Sequence, residues 1–233
     1  MLVASVLSKK IAAGASHVLI DIPVGRSAKV RSVQAAQAIR DRLHTVGREL
    51  GIAVHAMMTD GQQPVGRGIG PALEAFDVLA VLQDDPTAPD DLRQRSLALA
   101  GGVLEMGGKA LPGKGLALAR ETLASGAAWR KFQAICEAQG GMRIPPRAAF
   151  THTVEALHAG RVVAIDNRTL ARVAKLAGAP KSGAAGMLFH APLGASIRVG
   201  QPLFTLHAAS PGELAYALAF ARAQEHLITL ERL

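Results

Sequence analysis

The sequence predicts an α/β fold: a parallel-sheet βαβ region with covering helices, followed by a smaller α+β domain. Three observations carry that expectation. Two short apolar runs, His17–Ile22 and Ile52–Met58, flank a clean helical period, and a strand–helix–strand unit of about forty residues implies a parallel pair. Gly140-Gly141 and then Pro145-Pro146 punctuate the chain, and beyond them helical patterns give way to short strands. Hydrophobic residues make up 49% of the 233 while aromatics make up 3%, so a core is available and must be built mainly from Ala, Leu, Val and Ile.

Taken in order, residues 2–13 read as a helix with Ser5, Lys9 and Ala12 on one side. Ser5 offers a hydroxyl donor and acceptor, and Lys9 one turn later offers a point charge with three donors, so both can address one small polar ligand. The alternative is an ordinary solvated helix start. His17–Ile22 has the unbroken apolar character of a buried parallel strand. Pro23-Val24-Gly25-Arg26-Ser27 breaks regular structure, and Lys29 follows. In an open α/β sheet, ligands bind outside the carboxyl ends of the strands, which makes 23–29 a candidate ligand loop.

The next helix spans Ser32 to Gly51, its apolar stripe running through Val33, Ala36, Ile39, Leu43, Val46 and Leu50. Ser32 is the expected N-cap and Gly51 the residue that ends it. After the second strand comes Thr59–Pro71, whose Gly66-x-Gly68-x-Gly70 resembles a phosphate cradle. It lacks a following Gly-Lys-Ser/Thr, and the favoured reading is a tight loop packing beside a helix opened by Pro71.

Helices are expected over 71–83, 88–106 and 114–138. Asp90 and Asp91 favour the positive end of the second, Ser125-Gly126 is a potential break in the third, and Trp129 and Phe132 lie on its apolar side. In the last part, Thr151–Ala156 and Arg161–Ile165 look like a hairpin across His158-Ala159-Gly160. Asp166-Asn167 caps a helix over Thr169–Ala177. Gly186–His190, Ala195–Val199 and Leu203–His207 are three further strands, and Pro211–Leu227 is a closing amphipathic helix.

Composition narrows the function classes. The net charge of +8 invites a nucleic-acid reading, yet the basic residues are dispersed, aromatic platforms are scarce and no nucleic-acid motif is present. A basic balance also suits phosphate and phosphorylated substrates. No apolar run approaches a membrane span, and the N-terminal pattern is not a secretion signal. Cys136, the single cysteine, cannot form an internal disulfide, which suits a reducing cytoplasm; its helical context reads as a small buried side chain. None of the eight histidines forms a metal-ligand spacing, so no metal site is expected.

Four separated blocks carry a resemblance. A-S-V-L-S-K-K-I-A-A-G-A (4–15), V-L-I-D-I-P-V-G (18–25) with A-K-V (28–30), M-T-D-G-Q-Q-P-V-G-R-G-I-G-P-A-L-E-A (58–75) and the last hundred residues fall in the order found in the thymidine phosphorylase family. The nearest branch is that of the AMP phosphorylases and type 2 thymidine phosphorylases. The resemblance implies reversible phosphorolysis of thymidine or AMP to free base and sugar 1-phosphate, without metal or cofactor, in a cytoplasmic homodimer that engages neither nucleic acid nor membrane.

By position, the resemblance assigns base contacts to Ser5 and Lys9 and a nucleotide contact to Lys29. It assigns no catalytic residue within these 233 residues: the family's proton-donating aspartate and its phosphate-binding segment belong before Met1. The implied organisation is a remnant of a helical domain at 1–13, part of the α/β phosphorylase domain at 14–140 and an α+β domain at 145–233. The chain is expected to be the C-terminal portion of such an enzyme, inactive alone. The alternative is a non-catalytic nucleotide-binding or regulatory module derived from the family.

Overall fold

A computed structural model describes residues 2–232; the first and last residues of the expected domains, Met1 and Leu233, lie outside the described residues. In chain order the elements are α1 (Leu2–Ala12), β1 (His17–Val24), α2 (Val33–Glu49), β2 (Ala53–Asp60), β3 (Gly68–Ile69), α3 (Pro71–Leu82), α4 (Asp90–Met106), α5 (Gly115–Ala124) and α6 (Ala127–Ala138). There follow β4 (Phe150–Glu155), β5 (Gly160–Ile165), α7 (Asn167–Leu176), β6 (Gly186–Phe189), β7 (Ser196–Ile197), β8 (Pro202–Ala208), α8 (Pro211–Arg222) and β9 (Ile228–Glu231). The fold is mixed α/β, with one parallel pair and two antiparallel sheets. By contact the chain divides into two compact units, one comprising residues up to Gly61 with Gln94–Ser125, the other Gln62–Arg93 with Gly126 onward. Residues 141–148, at the expected boundary, are neither helix nor strand.

In the first unit β1 and β2 pair in parallel, from His17 opposite Ala53 to Val24 opposite Asp60, with α2 as the crossover. Ser32 caps α2 by accepting from the Ala35 amide at 3.2 Å. Gly51, at φ +70°, ends it and turns the chain straight into β2. The core joins Leu7 of α1, Ile22 of β1, Ala36 and Leu43 of α2, and Val54 of β2. Gly47 allows the crossover helix to lie close, because a Cβ there would meet Val54 Cγ2 at 2.4 Å. On the other side of the pair, the backbone of α4 at Gly102 faces Leu19, and a Cβ there would sit 3.2 Å from the leucine's Cδ2. The parallel pair therefore has apolar neighbours on both sides, which is why its two strands read as runs rather than alternations.

In the second unit, β3, β6, β8 and β4 form an antiparallel sheet in that order, and β7, β5 and β9 form a second. Their shared core includes Met187, Phe189, Phe204 and Leu206 from the first sheet, Val162 and Ile165 from the second, and Leu170, Val173, Ala217 and Ala221 from α7 and α8. Asp166 caps α7, accepting from the Arg168 and Thr169 amides at 3.0 and 3.2 Å. Ser210 caps α8, accepting from the Glu213 amide at 3.2 Å while its hydroxyl donates to the same residue's carboxylate.

Several expectations are corrected. The segments 151–156 and 161–165 are not a hairpin: β4 pairs with β8, while β5 pairs with β7 and β9. Each strand is claimed by a distant partner whose side chains complete its buried face. The closing helix stops at Arg222, and Ile228–Glu231, expected to lie beyond helix, is strand β9. The helix over 114–138 is two, because Gly126 at φ +72° interrupts it. Cys136 is only half-buried, since α6 has no buried residue among those described.

Candidate ligand site at the carboxyl end of the parallel pair

The loop after β1 folds back on its own strand. The Gly25 amide donates to the Val30 carbonyl at 3.1 Å, the Ala28 amide donates to the Gly25 carbonyl at 3.0 Å, and Val24 and Val30 form a parallel bridge. The loop after β2 is fastened beside it, with the Gly61 amide donating to the Val24 carbonyl at 2.9 Å. Gly61 permits that approach, because a Cβ would already lie 3.1 Å from the Pro23 carbonyl carbon and from the Val24 nitrogen. Lys29 is thereby presented, exposed, at the carboxyl edge of the pair, where a ligand loop was expected.

Beneath it is a cavity of about 240 Å³ with apolar walls from α1 (Val3, Val6), β1 (Ile20, Ile22) and α2 (Ile39, Leu43). Asp21 and Lys29 are the charged residues along it, but the Asp21 side chain alternates with those of Ile20 and Ile22 and turns to the α4 face of the strand. The Asp21 carboxylate is engaged on both oxygens. The Thr59 hydroxyl donates to Oδ1 at 2.6 Å, and the Arg95 guanidinium of α4 stands 3.7 Å from Oδ2. Arg95 also donates to the Asp60 carbonyl. Lys29, by contrast, makes no ion pair among the described residues.

Ser5 and Lys9 lie one turn apart on the exposed face of α1, and neither lines this cavity. Val3, Val6 and Leu7 occupy the inward face, and the helix period leaves the serine and lysine outside it. Sequence reasoning missed Asp21, Thr59 and Arg95. The signal for Asp21 was a carboxylate inside an otherwise apolar strand, a placement that requires partners; nothing local points to Arg95.

The glycine-rich loop, in the second unit, is not an open cradle. The Arg67 and Gly68 amides donate to Asp77 Oδ2 at 2.6 and 2.7 Å, the Gly66 amide to Asp91 at 3.0 Å, and the Gly70 amide to Glu74 at 2.9 Å. Carboxylates already occupy the donors that an anion would need. Elsewhere in this unit a line of polar groups crosses the four-stranded sheet: Thr153 and Thr205 hydroxyls lie 3.0 Å apart, and His190 Nε2 is 2.9 Å from Thr205. Burial, then the positive charge of Arg67, holds His190 below the usual histidine range; burial, then His190, does the same for His207. Among the described residues no three His, Cys, Asp or Glu side chains converge on a metal position, and no helix is long and apolar enough to cross a membrane.

No protein-family model matches the chain. Individual relatives do. It is 64% identical over 223 residues to "Putative thymidine phosphorylase 2" of Acidovorax sp. (strain JS42), covering 96% of the chain and 44% of that protein. It is 62% identical over 227 residues to the "Putative thymidine phosphorylase" of Polaromonas sp., and 57% identical over 229 residues to that of Legionella pneumophila (strain Corby). The chain belongs to the same family as these relatives. It spans less than half their length, and the matched portion is C-terminal in them. The candidate ligand loop and the cavity under Lys29 are thus features of a homologue of proteins named thymidine phosphorylases.

Proposed function

We propose that these 233 residues are the C-terminal portion of a nucleoside or nucleotide phosphorylase, a pentosyltransferase of nucleoside metabolism acting on thymidine or AMP. The observation that supports this most is 57–64% identity, across nearly the whole chain, to relatives bearing the phosphorylase name. In the proposed reaction phosphate attacks the anomeric carbon, the glycosidic bond breaks with its electron pair going to the base, and the products are free base and sugar 1-phosphate.

Ser5 and Lys9 donate to the departing base, whose developing negative charge a hydroxyl and an ammonium stabilise. Lys29 takes the 5′-phosphate or sugar side of the substrate. Residues 1–13 serve as the edge of a helical domain, 14–140 as part of the phosphorylase domain and 145–233 as its α+β companion. The working enzyme is a cytoplasmic homodimer.

None of the residues assigned here binds the attacking phosphate or donates a proton, so this length of chain gives little turnover by itself. The test is release of thymine or adenine from thymidine or AMP with phosphate present. Turnover at an ordinary enzymatic rate, about 1–1000 per second, would overturn the claim that the chain alone is inactive. A non-catalytic nucleotide-binding module is the alternative, supported by a polar, exposed Lys29 above an apolar cavity.

A further inference from the structure

We infer that the second unit holds a binding site for a small hydroxylated aromatic carboxylate, between α3 and the face of the four-stranded sheet that points away from the core. A cavity of about 440 Å³ lies there, lined by Leu73 and Phe76 of α3, Leu188 of β6, His207 of β8 and Arg147 of the segment before β4. That volume falls within the range of small-molecule sites. The strand register fixes the face. His207 is opposite Thr151 of β4, which also lines the cavity, and Leu188 is opposite Thr205, two residues before His207 on β8. Thr151, Leu188 and His207 therefore point to the same side. Met187, Phe204 and Leu206 alternate with them and point into the shared core on the other side.

Two polar groups of this cavity lack partners. His207 Nε2 is buried and makes no hydrogen bond among the described residues, an exception among buried polar atoms. Burial, then His190, keeps the ring neutral at pH 7, and a hydroxyl can serve Nε2 in either tautomer. The Arg147 guanidinium lies over the Phe76 ring, 5.4 Å from its centroid, and forms no ion pair among the described residues. A guanidinium on an aromatic face keeps its N–H donors for a carboxylate, which it can grip with two parallel bonds. Asp77 also lies along the cavity, but its carboxylate is turned to the Arg67 and Gly68 amides, at 2.6 and 2.7 Å. Arg147 thus takes the ligand's carboxylate, Leu73, Phe76 and Leu188 cover its ring, and His207 takes its hydroxyl.

The site is separate from the Lys29 loop of the first unit, and its test makes no use of phosphorolysis. Binding is followed by NMR titration of the 233-residue chain with benzoate, benzamide, 3-hydroxybenzoate and 4-hydroxybenzoate, reading the Leu188 amide and the His207 ring protons. Benzoate should bind saturably with a Kd of about 1 mM, as suits a ligand of so few atoms. Benzamide, which has the same shape without the charge, should bind about tenfold more weakly. At least one of the two hydroxybenzoates should bind about threefold more tightly than benzoate, through the added hydrogen bond.

Arg147→Gln should weaken benzoate binding about tenfold with the fold unchanged, because Arg147 is exposed. His207→Leu should bind benzoate as the parent does, which shows the cavity intact, and should lose the hydroxybenzoate advantage. An arginine merely packed on a phenylalanine, or a histidine satisfied by water alone, gives no saturable benzoate binding, and that result overturns the inference. Benzamide that binds as tightly as benzoate overturns it too, as does undiminished benzoate binding to Arg147→Gln. A hydroxybenzoate advantage that is missing in the parent, or that survives in His207→Leu, removes His207 from the site and overturns the assignment.

Discussion

Replacing Asp77 by alanine should destabilise the second unit by about 2–3 kcal/mol. The carboxylate accepts from the Arg67 amide at 2.6 Å and from the Gly68 amide at 2.7 Å. Hydrogen bonds to charged groups contribute about 1.5–3 kcal/mol each, and a buried donor left unmatched costs about 1–3 kcal/mol. Arg67 is exposed, and its amide turns to water at little cost. Gly68 is buried, hemmed in so that a Cβ would lie 2.3 Å from the Leu73 carbonyl carbon, and its amide has no such recourse. Asp77→Asn keeps an oxygen acceptor and loses only the charge, so it should cost about 1 kcal/mol.

The assay is urea unfolding, with amide exchange read at Gly68 and at Leu188, its partner in the β3–β6 pair. A loss of 2 kcal/mol accelerates exchange about thirtyfold where opening governs it. An Asp77→Ala cost below about 0.5 kcal/mol, within the range of ordinary surface substitutions, would refute the claim that this carboxylate organises the loop. Phosphate that stabilised the parent and lost that effect on Gly68→Pro would point instead to an anion cradle.

Gly186→Ala should prevent β3 from joining its sheet, because the glycine sits at φ +154° and a Cβ would stand 2.2 Å from the Ile69 carbonyl oxygen. Loss of exchange protection at Ile69 and Met187, its partner in the ladder, is the readout, with a cost above about 2 kcal/mol. Stability should also fall with pH. Burial lowers the folded-state values of His190 and His207 below the ordinary 6.5, so the unfolded chain binds protons first. Their contribution is present in full above about pH 6.5 and is lost as pH falls through the lower folded values. Thermal melts across that window should show the decline, and a His190→Asn/His207→Asn variant should flatten it.

The βαβ region was legible because its signals are local. Ser32, the stripe from Ala36 through Leu43, and Gly51 specify a capped helix by themselves, and the apolar run of β1 specifies a strand covered on both faces. What failed was pairing. The turn signal at His158–Gly160 is real, yet β4 joins β8, where Thr153 faces Thr205, and β5 joins β9, near the other end of the chain. β3 is two residues long, and only its pairing with β6 makes it a strand. β9 was hidden because the helix before it ends without glycine or proline, so the helical reading ran on. At the candidate site, Lys29 was reachable from the loop pattern, whereas Arg95 arrives from α4 and is visible only once the sheet and that helix are packed.

The most direct test of the central claim is calorimetric titration of the chain with AMP, thymidine and phosphate, repeated on Lys29→Ala. AMP should bind the parent and bind the variant at least tenfold more weakly, a loss of about 1.4 kcal/mol, with the fold unchanged. AMP binding of equal strength in both proteins would contradict the placement of a nucleotide phosphate at Lys29.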